Sequence, residues 1–469
     1  MRKFLLQHAD RNPVSFHMPG HKGSEIFRRY GYGDFLDRLV DCDVTEISGA
    51  DNLFQAEGII LDTMQKYSRL YEVDRSYLQV NGTSGGILAA ILASVRHGGK
   101  VIMARNCHKS VWNALMLGDM QPVYAQPVIL EDGIPGAVLP REIDRCLQEN
   151  PDAGAVIITS PNYYGICSDI RAIADVVHAK GKVLIVDQAH GAHLKFFHKF
   201  GCGSGMGMAG EDCGADIVIN SIHKTLASVT QSALLNLNSN RVDRYLLEDK
   251  MQAVETSSPS YILMSFLDIN ADLLTDYGPQ AIREWRENLD YFYQEAQTIP
   301  GLEIMTTNNM DTTKINLDMS ALGISGARLE ELLIGRDIFP ELYTGDILML
   351  MTGIGNTREH MVRTLTALRE IARTAQRENG LNKKEKKSFP VPETGRLYPV
   401  PKKREFVPLN EAAGRISAGL IIPYPPGIPQ ICPGEVITAE NAAFARALRE
   451  DGEKVIGINE KGEVPVGIE

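Results

Sequence analysis

The sequence predicts an α/β protein: a large domain built on a mostly parallel, seven-stranded sheet, then a smaller α+β domain toward the C-terminus. Three observations carry that expectation. Between about residues 74 and 240, short β-rich apolar runs alternate with stretches of helical periodicity, the pattern of a parallel sheet with helical crossovers. Polar, chemically reactive residues follow directly on several of those runs, where ligands gather at the carboxyl ends of parallel strands. With 469 residues, 44% hydrophobic and 23% charged, the chain has the size for two or three domains and the composition of an ordinary soluble protein.

Taken in order, residues 1–73 mix loops and short helices. They contain Phe16-His17-Met18-Pro19-Gly20-His21-Lys22-Gly23, a Pro-Gly and Lys-Gly turn that is a surface feature or a binding loop, followed by Asp43-Val44-Thr45-Glu46. Residues 55–72 have apolar positions at helical spacing. The large domain, 74–295, offers strands at Tyr77 to Val80, Lys100 to Ala104, Gln121 to Ala125, Ala155 to Thr159, Val183 to Val186, Ile217 to Ile219 and Ala233 to Leu237. Helices are expected at Gly85 to Val95, Ser110 to Leu117, Pro140 to Glu149 and Ile170 to Lys180, with 262–295 a long helix or a helix pair. The small domain, 296–469, includes a helix from Thr357 to Arg377 and is interrupted at 378–404 by a linker rich in Lys, Glu and Pro.

Net charge narrows the function. With 59 acidic against 48 basic residues the chain carries −11, which argues against nucleic acid as a partner and favours the approach of cationic small molecules. The N-terminus lacks the apolar core of a signal peptide, and no apolar run approaches the roughly 18 residues of a membrane span, so a cytoplasmic protein with no membrane partner is expected. Seven cysteines without a C-x-x-C pair read as reduced thiols rather than a disulfide framework or a zinc site.

Four strand ends carry the chemistry. Asn81-Gly82-Thr83-Ser84-Gly85-Gly86 opens a helix with small residues and two hydroxyls, suited to an anion, although such turns also occur without one. Arg105-Asn106-Cys107-His108-Lys109-Ser110 presents His108, which either caps the next helix or lies against a planar ring; stacking is preferred. Asp187 follows four apolar residues, so as a carboxylate it needs a cationic partner unless it caps a helix. His190 and His193 beside Asp187 form an incomplete ligand set, and no metal is expected. Ser221-Ile222-His223-Lys224-Thr225 delivers a lysine that, among polar and cationic neighbours, qualifies as a Schiff-base amine. Anion cradle, carboxylate, aromatic face and amine together fit pyridoxal 5'-phosphate.

These motifs, with His17-Met18-Pro19-Gly20-His21-Lys22-Gly23 and Tyr424-Pro425-Pro426-Gly427-Ile428-Pro429 followed by Pro433-Gly434-Glu435, resemble the ornithine, lysine and arginine decarboxylases among the fold type I pyridoxal-phosphate enzymes. The resemblance spans nearly the whole chain and points to the short bacterial subgroup without the receiver-like N-terminal domain. It implies that Lys224 holds the cofactor, that Asp187 meets its ring nitrogen, that His108 stacks on the ring, and that Thr83, Ser84, Ser221 and His223 contact the phosphate. Ala189 and His190 join the cofactor set. Residues 1–73 would contribute to the active site and to dimer contacts. Ser257-Ser258-Pro259-Ser260 resembles the loop that reaches a neighbouring subunit's phosphate, so a homodimer with shared sites is implied. Gln188 stands where the family usually has an acidic residue or serine.

The implied reaction is decarboxylation of arginine, lysine or ornithine, arginine being favoured, in polyamine biosynthesis. Lys224 and His223 are candidate proton donors to Cα, and Glu435 is the candidate anion for the substrate's distal cation. Rival readings are an aminotransferase or carbon-sulfur lyase of the same fold type and a non-catalytic pyridoxal-phosphate-binding regulator.

Overall fold

A computed structural model describes residues 1–130, 133–379, 395–424, 429–450 and 454–468. Its centre is a sheet of β1 (Arg75–Gln79), β2 (Lys100–Ala104), β3 (Gln121–Ala125), β4 (Ala153–Thr159), β5 (Val183–Asp187), β6 (Ile217–Asn220) and β7 (Ala233–Leu237). In space the order is β1-β7-β6-β5-β4-β2-β3. Only β7 runs against its neighbours, so the carboxyl ends of the other six strands share one edge. β5 and β6 are buried along their whole length, as strands covered on both faces must be, and this is why they read as unbroken apolar runs. The expected strands are all present, with ends shifted by at most two residues. β4 starts at Ala153, and its Gly154 packs closely on Val95, whose side chain an added Cβ would meet at 3.1 Å.

Helices α1 (Ile59–Tyr71), α2 (Gly82–Ser94), α3 (Lys109–Leu117), α4 (Tyr261–Asp276) and α5 (Gly278–Ala296) follow the expected periodicities. Residues 262–295 resolve into the α4–α5 pair. Pro279 in the first turn of α5 marks the new start, and Gly278 leaves room for Phe200, whose ring an added Cβ would meet at 2.9 Å. On α2, Gly86 brings the helix down on the sheet, since a Cβ there would stand 3.0 Å from Ile219 Cγ2.

A second, antiparallel sheet consists of β8 (Glu303–Met305), β9 (Lys314–Asp318), β10 (Leu342–Thr344) and β11 (Ile347–Met351), ordered β8-β9-β11-β10 and flanked by α6 (Gly326–Ile334) and α7 (Arg358–Asn379). The N-terminal segment docks here: Val14–Ser15 pairs in parallel with Ile338–Phe339, and Met351 donates its N–H to the Phe16 carbonyl. The last part pairs β12 (Arg404–Pro408) with β15 (Glu463–Gly467) and β13 (Ile422–Tyr424) with β14 (Lys454–Ile456). Together with α8 (Ala439–Glu450), these surround their own apolar cluster of Ile421, Ile431, Ile437, Val464 and Val466. Most of the 378–404 linker, and Pro425 to Ile428 of the quoted motif, lie outside the described residues. All seven cysteines are free thiols, and no described helix is long and apolar enough to cross a membrane.

Candidate active site

Four of the strand ends on the shared edge, those of β1, β2, β5 and β6, carry the residues singled out in the sequence. β5 ends in Asp187, which is 2% exposed and accepts a hydrogen bond from the Ala189 N–H at 3.1 Å. Burial raises its pKa, while Lys224 and the Ala189 bond pull the other way. Past β6, Ser221 opens the short helical turn Ile222–Thr225, which presents Lys224. Lys224 Nζ lies 2.9 Å from His190 Nε2 and 5.8 Å from the centre of the Tyr163 ring. Burial lowers its pKa; Asp187 and Glu341 oppose that shift and Lys314 adds to it. An amine held in this way keeps a larger neutral, nucleophilic fraction than a surface lysine.

His108 lies past the end of β2. Its Nδ1 accepts the Ser110 N–H as the cap of α3 and sits 2.8 Å from Ser110 Oγ, so the ring proton is on Nε2. Burial and then the Lys224 charge lower its pKa to about 4, leaving a neutral ring. His223 donates from Nδ1 to the Ser232 carbonyl at 2.8 Å and is likewise lowered to about 4, chiefly by burial. Past β1, α2 begins with Gly82 at φ +65, and Thr83 Oγ1 stands 3.3 Å from Ser221 Oγ, with Ser84 exposed beside it.

These residues fit pyridoxal phosphate on their own chemistry. Among the described residues, Asp187 is a buried carboxylate with a single neutral hydrogen-bond donor, which a protonated ring nitrogen would complete. Among the described residues, His190 Nδ1 and Thr225 Oγ1 are buried without a partner beside Lys224, polar atoms that a bound group would satisfy. The hydroxyls of Thr83, at the start of α2, and Ser221, past the end of β6, stand together and would suit an anion.

The histidines near Asp187 diverge: His190 turns to Lys224, whereas His193 Nε2 is 3.0 Å from Asp311 Oδ1. Gln188 faces away into a buried amide network, donating to Glu211 and Asn220 at 3.0 Å each and accepting the Gly210 N–H. The residue that departs from the family pattern therefore supports the strand end from behind. Glu435 is not brought to this cluster. Its carboxylate forms a two-pronged pair with Arg105, at 2.7 and 2.8 Å, and accepts the Cys432 N–H, all nearly fully buried. Within this chain the Arg105 pair, and not a place beside Lys224, is where Glu435 is held.

The His17–Gly23 turn proves to be a strap behind Lys224. Gly20 donates its N–H to the His223 carbonyl at 2.7 Å and accepts from the Gly355 N–H; Lys22 Nζ donates to the Met351 carbonyl at 3.0 Å. Burial lowers the Lys22 pKa to about 7, opposed by Glu341. Sequence reasoning missed Glu341, which accepts the Met18 N–H at 2.9 Å, and missed Lys314, Asp311 and Tyr163. Tyr163 follows β4, another strand of the shared edge, and that position was the one signal available for any of them.

Comparison with known proteins identifies the family and the fold. The family description "Orn/Lys/Arg decarboxylase, major domain" matches residues 1–314, and "Orn/Lys/Arg decarboxylase, C-terminal domain" matches residues 383–461. A Bacillus subtilis protein named uncharacterized protein YaaO is 34% identical, over 94% of this chain and 92% of its own. The arginine decarboxylase of the same organism is 30% identical over 94% of this chain and 91% of its own. Among solved structures, the constitutive lysine decarboxylase of E. coli superposes with a TM-score of 0.74 at 20% identity, covering 96% of this chain and 79% of that one.

Proposed function

The chain belongs to the Orn/Lys/Arg decarboxylase family, and we infer from that premise that it releases carbon dioxide from a basic L-amino acid, with arginine the favoured substrate. It is an amino-acid decarboxylase with the fold type I architecture. The observation that carries the finer reading is the buried juxtaposition of Lys224 with His190 and Asp187 at adjacent strand ends. The lean to arginine draws on the named relative, and a chain of net charge −11 attracts any of the three cationic amino acids.

Pyridoxal 5'-phosphate, when bound, supplies an electron sink for the pair left on Cα as the carboxylate departs. Lys224 would hold it and Asp187 would keep the ring nitrogen protonated. His108 would face the ring, with Ala189 and His190 beside it, and Thr83, Ser84, Ser221 and His223 would hold the phosphate. The Cα proton is assigned to Lys224 Nζ in preference to His223, whose one proton is committed to the Ser232 carbonyl and whose ring is neutral at pH 7. The proposal also takes the chain as a cytoplasmic homodimer whose amine product enters polyamine formation. Its domain division is 1–73, 74–295 and 296–469.

The test is product analysis. Purified protein loaded with pyridoxal phosphate is given arginine, lysine or ornithine, and carbon dioxide and amine are measured. Amine in equal amount to carbon dioxide, fastest from arginine, is expected; a keto acid, or no amine from any of the three, overturns the reading.

A further inference from the structure

Lys314 is 0% exposed, an unusual place for an ammonium. It is the first residue of β9, in the small sheet, yet its Nζ reaches the main-chain carbonyl of His190 past the end of β5, and it pairs with Asp311 Oδ2 and lies 3.3 Å from Thr313 Oγ1. Asp311 is itself fixed: its other oxygen faces His193 Nε2 at 3.0 Å and accepts from the Thr313 N–H and hydroxyl at 3.0 and 2.7 Å. A buried pair of this kind contributes little net stability compared with apolar residues of the same volume, so stability alone does not account for a lysine here. What distinguishes the position is the neighbour. The His190 whose main chain Lys314 holds is the residue whose ring meets Lys224 Nζ at 2.9 Å.

We propose that Lys314 is a positioning residue for the Lys224 amine: from the small sheet it pins the His190 main chain, holds the imidazole against Lys224, and sets a fixed positive charge on that side of the site. The proposal rests on the reading of Lys224 as the cofactor lysine. The charged and titratable groups facing Lys224 are Asp187 and His190 from the end of β5, Tyr163 from beyond β4, His108 from beyond β2, Glu341 and Lys314 from the small-sheet side, and His223 in its own turn. Asp187 and Glu341 favour the ammonium, and Lys314 is the cation that opposes them. Without it, two carboxylates would hold Lys224 charged over a wider pH range, and less of the amine would be free to attack.

Two double variants remove the charge, one with and one without the contact. Lys314→Gln with Asp311→Asn removes both charges while keeping a donor for the His190 carbonyl; Lys314→Met with Asp311→Asn removes the donor as well. In cofactor-free protein, Lys224 is labelled across pH by reductive methylation, and the labelled peptide is quantified by mass. Both double variants are expected to label Lys224 several-fold more slowly at pH 7 than the wild type, with the profile displaced to higher pH. Where the Met variant does not fold, the Gln variant decides. An unchanged profile in a Gln variant that melts like the wild type overturns the proposal, whether or not the cofactor binds. Loading the wild type and trapping the cofactor with borohydride tests the premise separately: trapping at no residue or at another lysine defeats the cofactor assignment, while a displaced labelling profile still upholds the role of Lys314.

Discussion

His108 and His223 both sit among buried groups and cations, and each is lowered from 6.5 to about 4. Desolvation is the larger cause in both; Lys224 contributes a like charge to each. Their folded forms bind fewer protons than the unfolded chain between these values, so stability falls as the pH drops from about 6.5 toward 4 and is unaffected by them above that window. We expect the melting temperature of the cofactor-free protein to decline through this range, and a His108→Asn, His223→Asn variant to flatten the decline. An equal slope in the variant would place the acid sensitivity elsewhere. At this scale the sequence announced the residues that follow an apolar run, because a strand end delivers them to the site: Asp187 after Val183 to Val186 and the Ser221–Lys224 group after Ile217 to Ile219. Lys314 and Glu341 had no such flag. They reach the site from a different sheet, and nothing local in Thr313-Lys314-Ile315 or Pro340-Glu341-Leu342 shows that their charges turn inward.

Between elements, two joints govern the site. The first is the His17–Gly23 strap, which passes between the Lys224 turn and the segment after β11. A Cβ on Gly20 would stand 2.4 Å from the Thr225 carbonyl carbon, and one on Gly355 would clash with the His21 carbonyl. Gly20→Ala is therefore expected to cost about 1–3 kcal/mol through backbone displacement. The displacement falls on Thr225, next to Lys224, so cofactor affinity should drop with the melting temperature; a variant that melts normally and binds normally would show that the strap yields. The second joint is the Arg105–Glu435 pair, which ties the end of β2 to the C-terminal region; Arg105 also donates to the carbonyls of Pro429 and Gln430. Glu435→Gln strands a buried guanidinium, a loss of about 3–5 kcal/mol, visible as a lower denaturation midpoint. A substrate-binding glutamate would instead raise KM with little change in stability, so the two measurements together decide its role. The strands of the large sheet were legible from their apolar runs, but the small sheet was not resolved strand by strand. β9 and β11 are buried along their full length, and β9 carries Lys314, Asn316 and Asp318 inside, so its short alternation Lys314-Ile315-Asn316-Leu317-Asp318 points to a half-exposed strand where the fold buries both faces.

For the molecule as a whole, a single copy leaves apolar side chains in water: Phe4, Leu5 and Leu6, on the N-terminal helix Arg2–Asp10 that precedes α1, are 56–68% exposed and Val40 is 89% exposed. Surfaces of this kind in the segment expected to make dimer contacts suit coverage by a second copy. Ser257 and Ser258 lie exposed just before α4, which Ser260 caps by accepting the Leu263 N–H at 3.3 Å. In the proposed homodimer that loop reaches the neighbouring subunit's phosphate, so each site takes Lys224 from one chain and the serine loop from the other. A Lys224→Ala variant and a Ser257→Asp, Ser258→Asp variant should then both be inactive alone, the second through repulsion between the added carboxylates and the phosphate. When the two are mixed and allowed to exchange subunits, half of the dimers are mixed, and each mixed dimer has one site with both native parts. About a quarter of the wild-type activity should return. If each site were built within one chain, mixing would restore nothing, because every Lys224 would remain either absent or beside its own altered loop. Activity measured against mixing ratio, with subunit exchange confirmed by mass, therefore decides between a shared and a self-contained site.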